Sequence, residues 1–458
     1  MSSATAVPAA RPDLIGGDDT ELARTTMRRV SQRLIPLLFV LFICNYLDRT
    51  NVAIAKLQMS ADLAFSDTAY SFGVSIFFVG YTVFEIPSNL ILARVGARRW
   101  IARIMITWGL IGSAMMFVRT PLHFYLLRLG LGVAEAGFVP GIVYYLSQWF
   151  PAEQRARALS SFLVAGPVSG AIGSPLSAWL LGFNGWHGLA GWQWVFLLEG
   201  IPSVLIGVAV LVLLTDAPSK ARWLSPPQRE WLEARLERDA DQSAASHGVS
   251  ALGALMHPVV WLLSILYFLI ITSLWTYIYW APTVIQDTLH TSNAMTGVVT
   301  GGIAAVTTVV MLAMGASSDR KAERFFHAGA SLAVVALAWA SAALVSHPIA
   351  RVACFAMVYV AVQSFFGPFW CLPSSLLRGT AAAAGIALVN SFGNLAGVVA
   401  PSGIGVLKEM TGTMTAGMLV LSVLSVCAAA MCIGLRRHSA FATVVGRTTR
   451  GASVPSIT

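Results

Sequence analysis

Six ionisable residues interrupt stretches of sequence that are otherwise apolar: Asp48, Arg49, Glu85, Arg128, Glu135 and Glu199. All of them fall in the first half of the chain. A charged side chain near the centre of a lipid bilayer costs roughly 2.5–3.5 kcal/mol. Groups kept at that cost pair with one another, or they handle a proton or a charged solute. Acids and arginines together can do both. Burial favours the protonated acid, and a nearby guanidinium favours the ionised one. A carboxyl that gains or loses an arginine partner therefore changes its hold on a proton. Arginine also suits a carboxylate solute, because its planar fork binds both oxygens and stays charged. A static charge network that only ties helices together is the alternative.

The elements that must carry these groups follow from composition. The 458 residues are 56% hydrophobic and only 11% charged, whereas soluble domains carry about 25% charged residues. Hydrocarbon offers no partners to backbone polar groups, so a span needs about 20 mostly apolar residues in a helix. Twelve segments qualify: 34–56, 70–92, 100–118, 122–147, 158–181, 193–214, 257–281, 294–316, 327–346, 351–376, 380–407 and 413–435. The fold class is thus an all-α polytopic membrane protein embedded in a lipid bilayer. At a rise of 1.5 Å per residue, Asp48 lies about 21 Å from the start of its span and Glu135 about 18 Å from the end of its own. Arg128 is two turns from Glu135 on the same helix face. The acids and arginines are therefore expected near one level.

The chain is basic, with a net charge of +9, yet nucleic acid is not the implied partner. The basic residues alternate with the spans. On one side of the spans basic residues occupy 11–33, 94–103, 155–157, 220–238, 320–324, 378 and 436–450, while the loops on the other side carry only Lys56, Arg119, Arg351 and Lys408. The positive-inside rule then places both termini in the cytoplasm. Residues 1–33 are polar and basic, so no cleavable leader is read. The absence of an Asn-x-Ser/Thr sequon favours a bacterial inner membrane. The cysteines (Cys44, Cys354, Cys371, Cys427, Cys432) fall within spans without metal or disulfide spacing. No nucleotide-binding loop or His-Glu-x-x-His motif occurs, so neither an enzyme nor a bound cofactor is expected.

The chain divides into a tail (1–33), a first six-helix unit (34–214), a polar linker (215–256), a second unit (257–435) and a tail (436–458). In the linker, Ser225-Pro226-Pro227-Gln228 has the form of a helix-start box. The halves repeat: the loop from Asn89 through Arg94 to Arg99 is echoed from Gly315 through Asp319 and Arg320 to Arg324. In the first copy Ala93 stands where the second has Asp319. Such repeats place a solute site between the two units near the midplane.

These loops resemble those of the major facilitator superfamily. Finer motifs narrow the likeness: Asn45-Tyr-Leu-Asp48-Arg49-Thr-Asn51, Tyr81-Thr-Val-Phe-Glu85-Ile-Pro87-Ser-Asn89, Arg128 to Pro140, Trp370-Cys-Leu-Pro373 and Ala387 to Gly397. Together they look like the anion:cation symporter family of bacterial phthalate, tartrate, hydroxyphenylacetate and galactonate permeases. The resemblance implies uptake of a small organic anion with a proton by alternating access, powered by the proton motive force, in a monomer. It implies proton carriage by Asp48 and Glu135, and substrate or gating roles for Arg49, Arg128 and Tyr81. Arg94, Asp319 and Arg320 would act in gating. Glu85 shares a face with Tyr81 and Asn89 and is a further gate candidate; Glu199 reads as a cap or pairing group. The second half offers neutral groups to shape the site: Tyr277, Tyr279, Trp280, Gln363, Trp370, Ser374, Asn390 and Asn394. Gly166-Pro167 to Gly173 partly resembles a motif of drug exporters, so exchange or export stays open. A transporter-like sensor is the rival from another class, but the loops leave little room for an output domain.

Overall fold

In a computed structural model, the described residues are 17–245, 251–321, 323–376 and 379–437. Among them are helices and connecting turns, and no strand. Twelve helical stretches are long and apolar enough to cross a membrane.

The first half comprises α1 (Gly17–Asp62), α2 (Asp67–Val95), α3 (Ala97–Ala114), α4 (Pro121–Glu135), α5 (Phe138–Ser147), α6 (Ala152–Leu163), α7 (Ala165–Leu181) and α8 (Gly191–Leu213). After α9 (Pro226–Ala245) and α10 (Ala251–Met256) come α11 (Pro258–Leu289), α12 (Asn293–Lys321), α13 (Phe325–Leu344), α14 (Pro348–Leu376), α15 (Gly379–Asn394), α16 (Ala396–Thr411) and α17 (Thr415–Arg437). Asp48 and Arg49 do not interrupt α1, which runs straight through them. Three spans are instead broken in the middle, as α4–α5, α6–α7 and α15–α16. The first break falls at Gly137, whose φ of 83° is left-handed. Glycine suits that conformation, and a Cβ there would come within 2.5 Å of the Ser88 hydroxyl. Glu135 is thereby the last residue of α4.

In the first half α3 packs on α8, α2 on α4, and α1 on both α7 and α8. In the second, α13 packs on α14 and α17, and α11 on α14, α15 and α17. The halves meet along α2–α16, α7–α12 and α1–α11. Small residues permit that approach, as is usual where lipid supplies no hydrophobic drive. Gly297 and Gly301 sit against Ser174 and Pro175, Gly397 against Phe78, and Gly405 against Ser71. The Gly297, Gly301 and Gly405 contacts lie toward the face away from the start of α1 and the end of α17, where α2 starts and α16 stops; it is called the far face below.

The linker helix starts as the box motif specifies: the Ser225 N–H donates to Gln228 Oε1 at 3.2 Å. The same oxygen accepts from Arg29 at 3.1 Å, and Arg235 bridges to Glu153 at 2.6 Å, so α9 is tied to α1 and α6. The acid missing at Ala93 is supplied from elsewhere. Asp216, just past α8, accepts the Arg98 N–H at 2.9 Å and lies 3.9 Å from its Nε. Arg94 and Arg320 are exposed. The Asp319 side chain lies outside what is described, as do the Ser374 side chain and residues 438–458.

Candidate functional site

Residues four apart on a helix project within about 40° of each other, and adjacent residues about 100° apart. That rule sorts the polar run of α1. Asn45 and Arg49 face α4, and Asp48 faces α3 and α8. Asn45 Nδ2 donates to Glu135 Oε1 at 2.7 Å, and Arg49 Nε donates to the same oxygen in a short ion pair. Glu135 is fully buried, and its Oε2 has no partner. Arg49 Nη2 is likewise unpartnered. Tyr81 stacks on the guanidinium at 4.7 Å, with Phe77 at 5.5 Å.

Arg49 and Tyr81 form part of the wall of a cavity of about 180 Å³ between the two halves. Tyr46 and Gly166 lie on the first-half side with apolar groups that include Phe42 and Val139. The second half contributes Tyr267, Trp275, Gln363, Trp370, Asn390 and Asn394. Five expected site residues, Arg49, Tyr81, Trp370, Asn390 and Asn394, thus meet in one space. Tyr267, Trp275 and Tyr46 were not singled out in the sequence; their aromatic character alone did not set them apart from packing residues. Trp370 lies 5.0 Å from the Tyr267 ring.

Asp48 and Glu135 take different partners on the two sides of α1, so the acids do not share one hydrogen-bond cluster. Asp48 Oδ2 accepts from the Trp108 indole at 2.8 Å and from the Ser203 hydroxyl at 2.7 Å. It does not line the cavity. Arg128 does not line it either. Arg128 is 1% exposed, lies 4.9 Å from the Phe77 ring and donates to the Gly73 carbonyl at 3.4 Å. Phe77 therefore lies against both guanidinia, with only that of Arg49 on the cavity. Glu85 is buried with Oε2 unpartnered, away from the cavity wall. Tyr277 lines a smaller hollow nearer the far face, and stacks on Tyr359 at 4.6 Å.

The far end of the cleft is closed by polar contacts between the halves. Asp67 bridges Lys56 of α1 at 2.8 Å and Lys408 of α16 at 3.0 Å. Both ammonium groups lie on the Trp280 ring, at 3.7 and 5.0 Å. Glu409 accepts the Thr68 N–H at 3.0 Å, and the Tyr70 hydroxyl reaches the Tyr279 carbonyl at 3.3 Å. In the sequence Lys56 and Lys408 are ordinary loop-end lysines, and nothing there signals this latch.

Comparison with known proteins agrees with the architecture. A family model described as Major Facilitator Superfamily matches residues 38–401. A candidate tartrate transporter of Agrobacterium vitis is 43% identical over 424 residues, covering 92% of this chain and 96% of that protein. A quinolone resistance transporter of Acinetobacter baumannii is 39% identical over 403 residues, covering 88% and 93%. The crystal structure of a bacterial homolog of the human lysosomal transporter Spinster, inward-facing and unoccupied, superposes with a TM-score of 0.73. It does so at 16% identity, over 91% of this chain and 98% of that one.

Proposed function

We propose, from the premise that the chain belongs to the major facilitator superfamily and is a membrane transporter, that it carries a small organic carboxylate into the cell together with protons. The observation that carries this reading is the Arg49–Glu135 pair in the wall of the inter-bundle cavity. An entering carboxylate competes with Glu135 for the Arg49 fork. Glu135, stripped of its guanidinium in a dry site, is then tolerated only as the neutral acid. Binding of the anion and of a proton are in this way linked through one arginine. Tyr81 holds the guanidinium plane, and the amides of Asn390, Asn394 and Gln363 supply neutral donors opposite. The name of the tartrate relative supports a hydroxy-dicarboxylate as the first candidate. The arginine-rich face with the chain ends is assigned to the cytoplasm. The cleft is sealed on the far face, and rocking of the bundles about the site would open it there.

The name of the quinolone resistance relative favours a second reading, export of an organic anion by the same site. One experiment separates the two. Purified protein in proteoliposomes, with an inward-directed proton gradient and no internal substrate, should accumulate labelled tartrate or another small carboxylate above equilibrium. Efflux driven by the opposite gradient, without uptake, would establish the exporter. Failure to move any of a panel of organic acids in either direction would overturn the carboxylate reading.

A further inference from the structure

The cycle above leaves a buried acid unused. Glu199 of α8 is 5% exposed, inside the first bundle. Its Oε1 accepts from the Ser177 hydroxyl of α7 at 2.6 Å, Asn51 of α1 stands beside it, and its Oε2 has no partner. One turn along α8 is Ser203, which donates to Asp48. Asp48 also keeps one oxygen, Oδ1, without a partner. Neither acid forms an ion pair among the described residues, in contrast to Glu135 and Asp67. The groups facing the two acids are the Cys44 thiol and Asn51 on α1, Trp108 and Gly112 on α3, Ser177 on α7 and Ser203 on α8. No cation is among them. The further charge acting on Asp48 is Glu135 on α4, which is engaged with Arg49. A buried carboxylate with hydroxyl and indole donors but no counter-charge is poorly compensated. A proton residing on one or both acids compensates it.

The second half provides an internal control. α17 repeats α8, and Ser425 stands against the Trp339–Ser273 bond as Ser203 does against Trp108–Asp48. Four residues before Ser425 is Leu421, 2% exposed. The scaffold thus packs this position with a leucine when no acid is needed.

We propose that Glu199 is a second proton-carrying residue, which with Asp48 forms a proton path inside the first bundle, separate from the anion cavity. Depth supports the direction. Glu199 is eight residues, about 12 Å, from the far-face start of α8, and Asp48 is fourteen residues, about 21 Å, from the far-face end of α1. A proton from water at the far face attaches to Glu199. The O–H bond of Glu199 then breaks as one forms on Asp48, by way of the Ser203 hydroxyl. Asp48 gives up its proton to water on the opposite, cytoplasmic side, and Glu199, again a carboxylate, takes its next one from the far face. Intramembrane relays of this kind use acids in series.

This inference rests on the proton-coupled reading, so the test reads proton and anion separately. Glu199→Gln keeps the acceptor for Ser177 and removes the titratable group. In proteoliposomes it should lower proton-gradient-driven carboxylate accumulation by about tenfold and leave equilibrium counterflow within about twofold of wild type. Glu199→Asp should restore part of the accumulation. Infrared difference spectra of solubilised protein against pH, which need no substrate, should lose one protonated-carboxyl carbonyl band in Glu199→Gln. Wild-type accumulation by Glu199→Gln, or an unchanged band, would overturn the proposal. So would loss of counterflow in both Glu199→Gln and Glu199→Asp, which marks a scaffold role. A wild-type protein that moves anions without any proton flux would instead sink the coupled reading itself.

Discussion

Asp48 and Ser273 hold the same post in the two halves of the chain. Trp108 donates its indole N–H to Asp48 Oδ2 at 2.8 Å, and Trp339 donates its own to Ser273 Oγ at 3.0 Å. Ser203 Oγ lies 2.7 Å from the first acceptor and Ser425 Oγ 3.5 Å from the second. The three-helix junction is thus built twice, once around a carboxyl and once around a neutral hydroxyl. Holding the helices together does not require the acid, which weakens the reading of Asp48 as glue.

It follows that Asp48→Ser should fold. The expected loss of stability is less than about 2 kcal/mol, in the range of ordinary substitutions, because the repeat already supports serine there. Gradient-driven uptake should fall while counterflow persists. A variant that cannot be purified as a monodisperse species would return Asp48 to a structural role.

Glu135→Gln separates coupling from binding. The amide keeps the hydrogen-bonding shape beside Asn45 and Arg49 but cannot accept a proton. Uphill accumulation should disappear, and carboxylate counterflow should persist. Unchanged accumulation at every pH would remove Glu135 from the coupling mechanism.

Arg49→Lys keeps the charge and loses the fork. Only one donor can then face Glu135 or the anion, and the flat stacking on Tyr81 is lost. Transport should drop by at least about tenfold, equivalent to 1.4 kcal/mol. Near-normal rates would show that a point charge suffices.

The distribution of these roles explains what the sequence could reveal. Membrane spans are long and apolar, so hydropathy locates all twelve, and α1 persists through Asp48-Arg49 because charge does not break helical hydrogen bonding. The breaks at Gly137 and Leu395 are less legible, since glycine within an apolar run can either continue a helix or end it. The wall residues Arg49, Tyr81, Trp370 and Asn390 stand out as polar or amphipathic groups at membrane depth. Pairing is another matter. Depth along one axis says nothing of azimuth, and Asp48 and Arg49, adjacent in sequence, project about 100° apart on the helix. That angle sends one to Trp108 and the other to Glu135. Arg128 has the composition of a site residue, and only the position of Phe77 shows that it is shielded from the cavity here.

Glycines set how closely the bundles approach on the far face. A Cβ on Gly405 would fall 2.1 Å from the Ser71 hydroxyl and 3.0 Å from the Asp67 carbonyl. Gly405→Leu should leave each bundle folded and hold the halves apart at that face. Transport should cease, and a cysteine at Ser75, 3% exposed in this state, should react with impermeant thiol reagents far faster than in an otherwise wild-type background. Unchanged labelling together with normal transport would show that α16 shifts to absorb the side chain.

The Lys56–Asp67–Lys408 latch should tune the same equilibrium without blocking it. Asp67 is the only acid joining these lysines among the described ion pairs. In Asp67→Asn two ammonium groups meet on one indole face with no anion between them. Repulsion then opposes closure, and the population with the far face open should rise several-fold. The shift is bounded, because partly exposed ion pairs contribute only about 1 kcal/mol. Salt should mimic the substitution in wild type and have little further effect in the variant, since the pair is then absent. Spin labels on α2 and α16 at the far face would report the distance distribution. Identical distributions in wild type and Asp67→Asn at low salt would show that the glycine contacts alone hold this face shut.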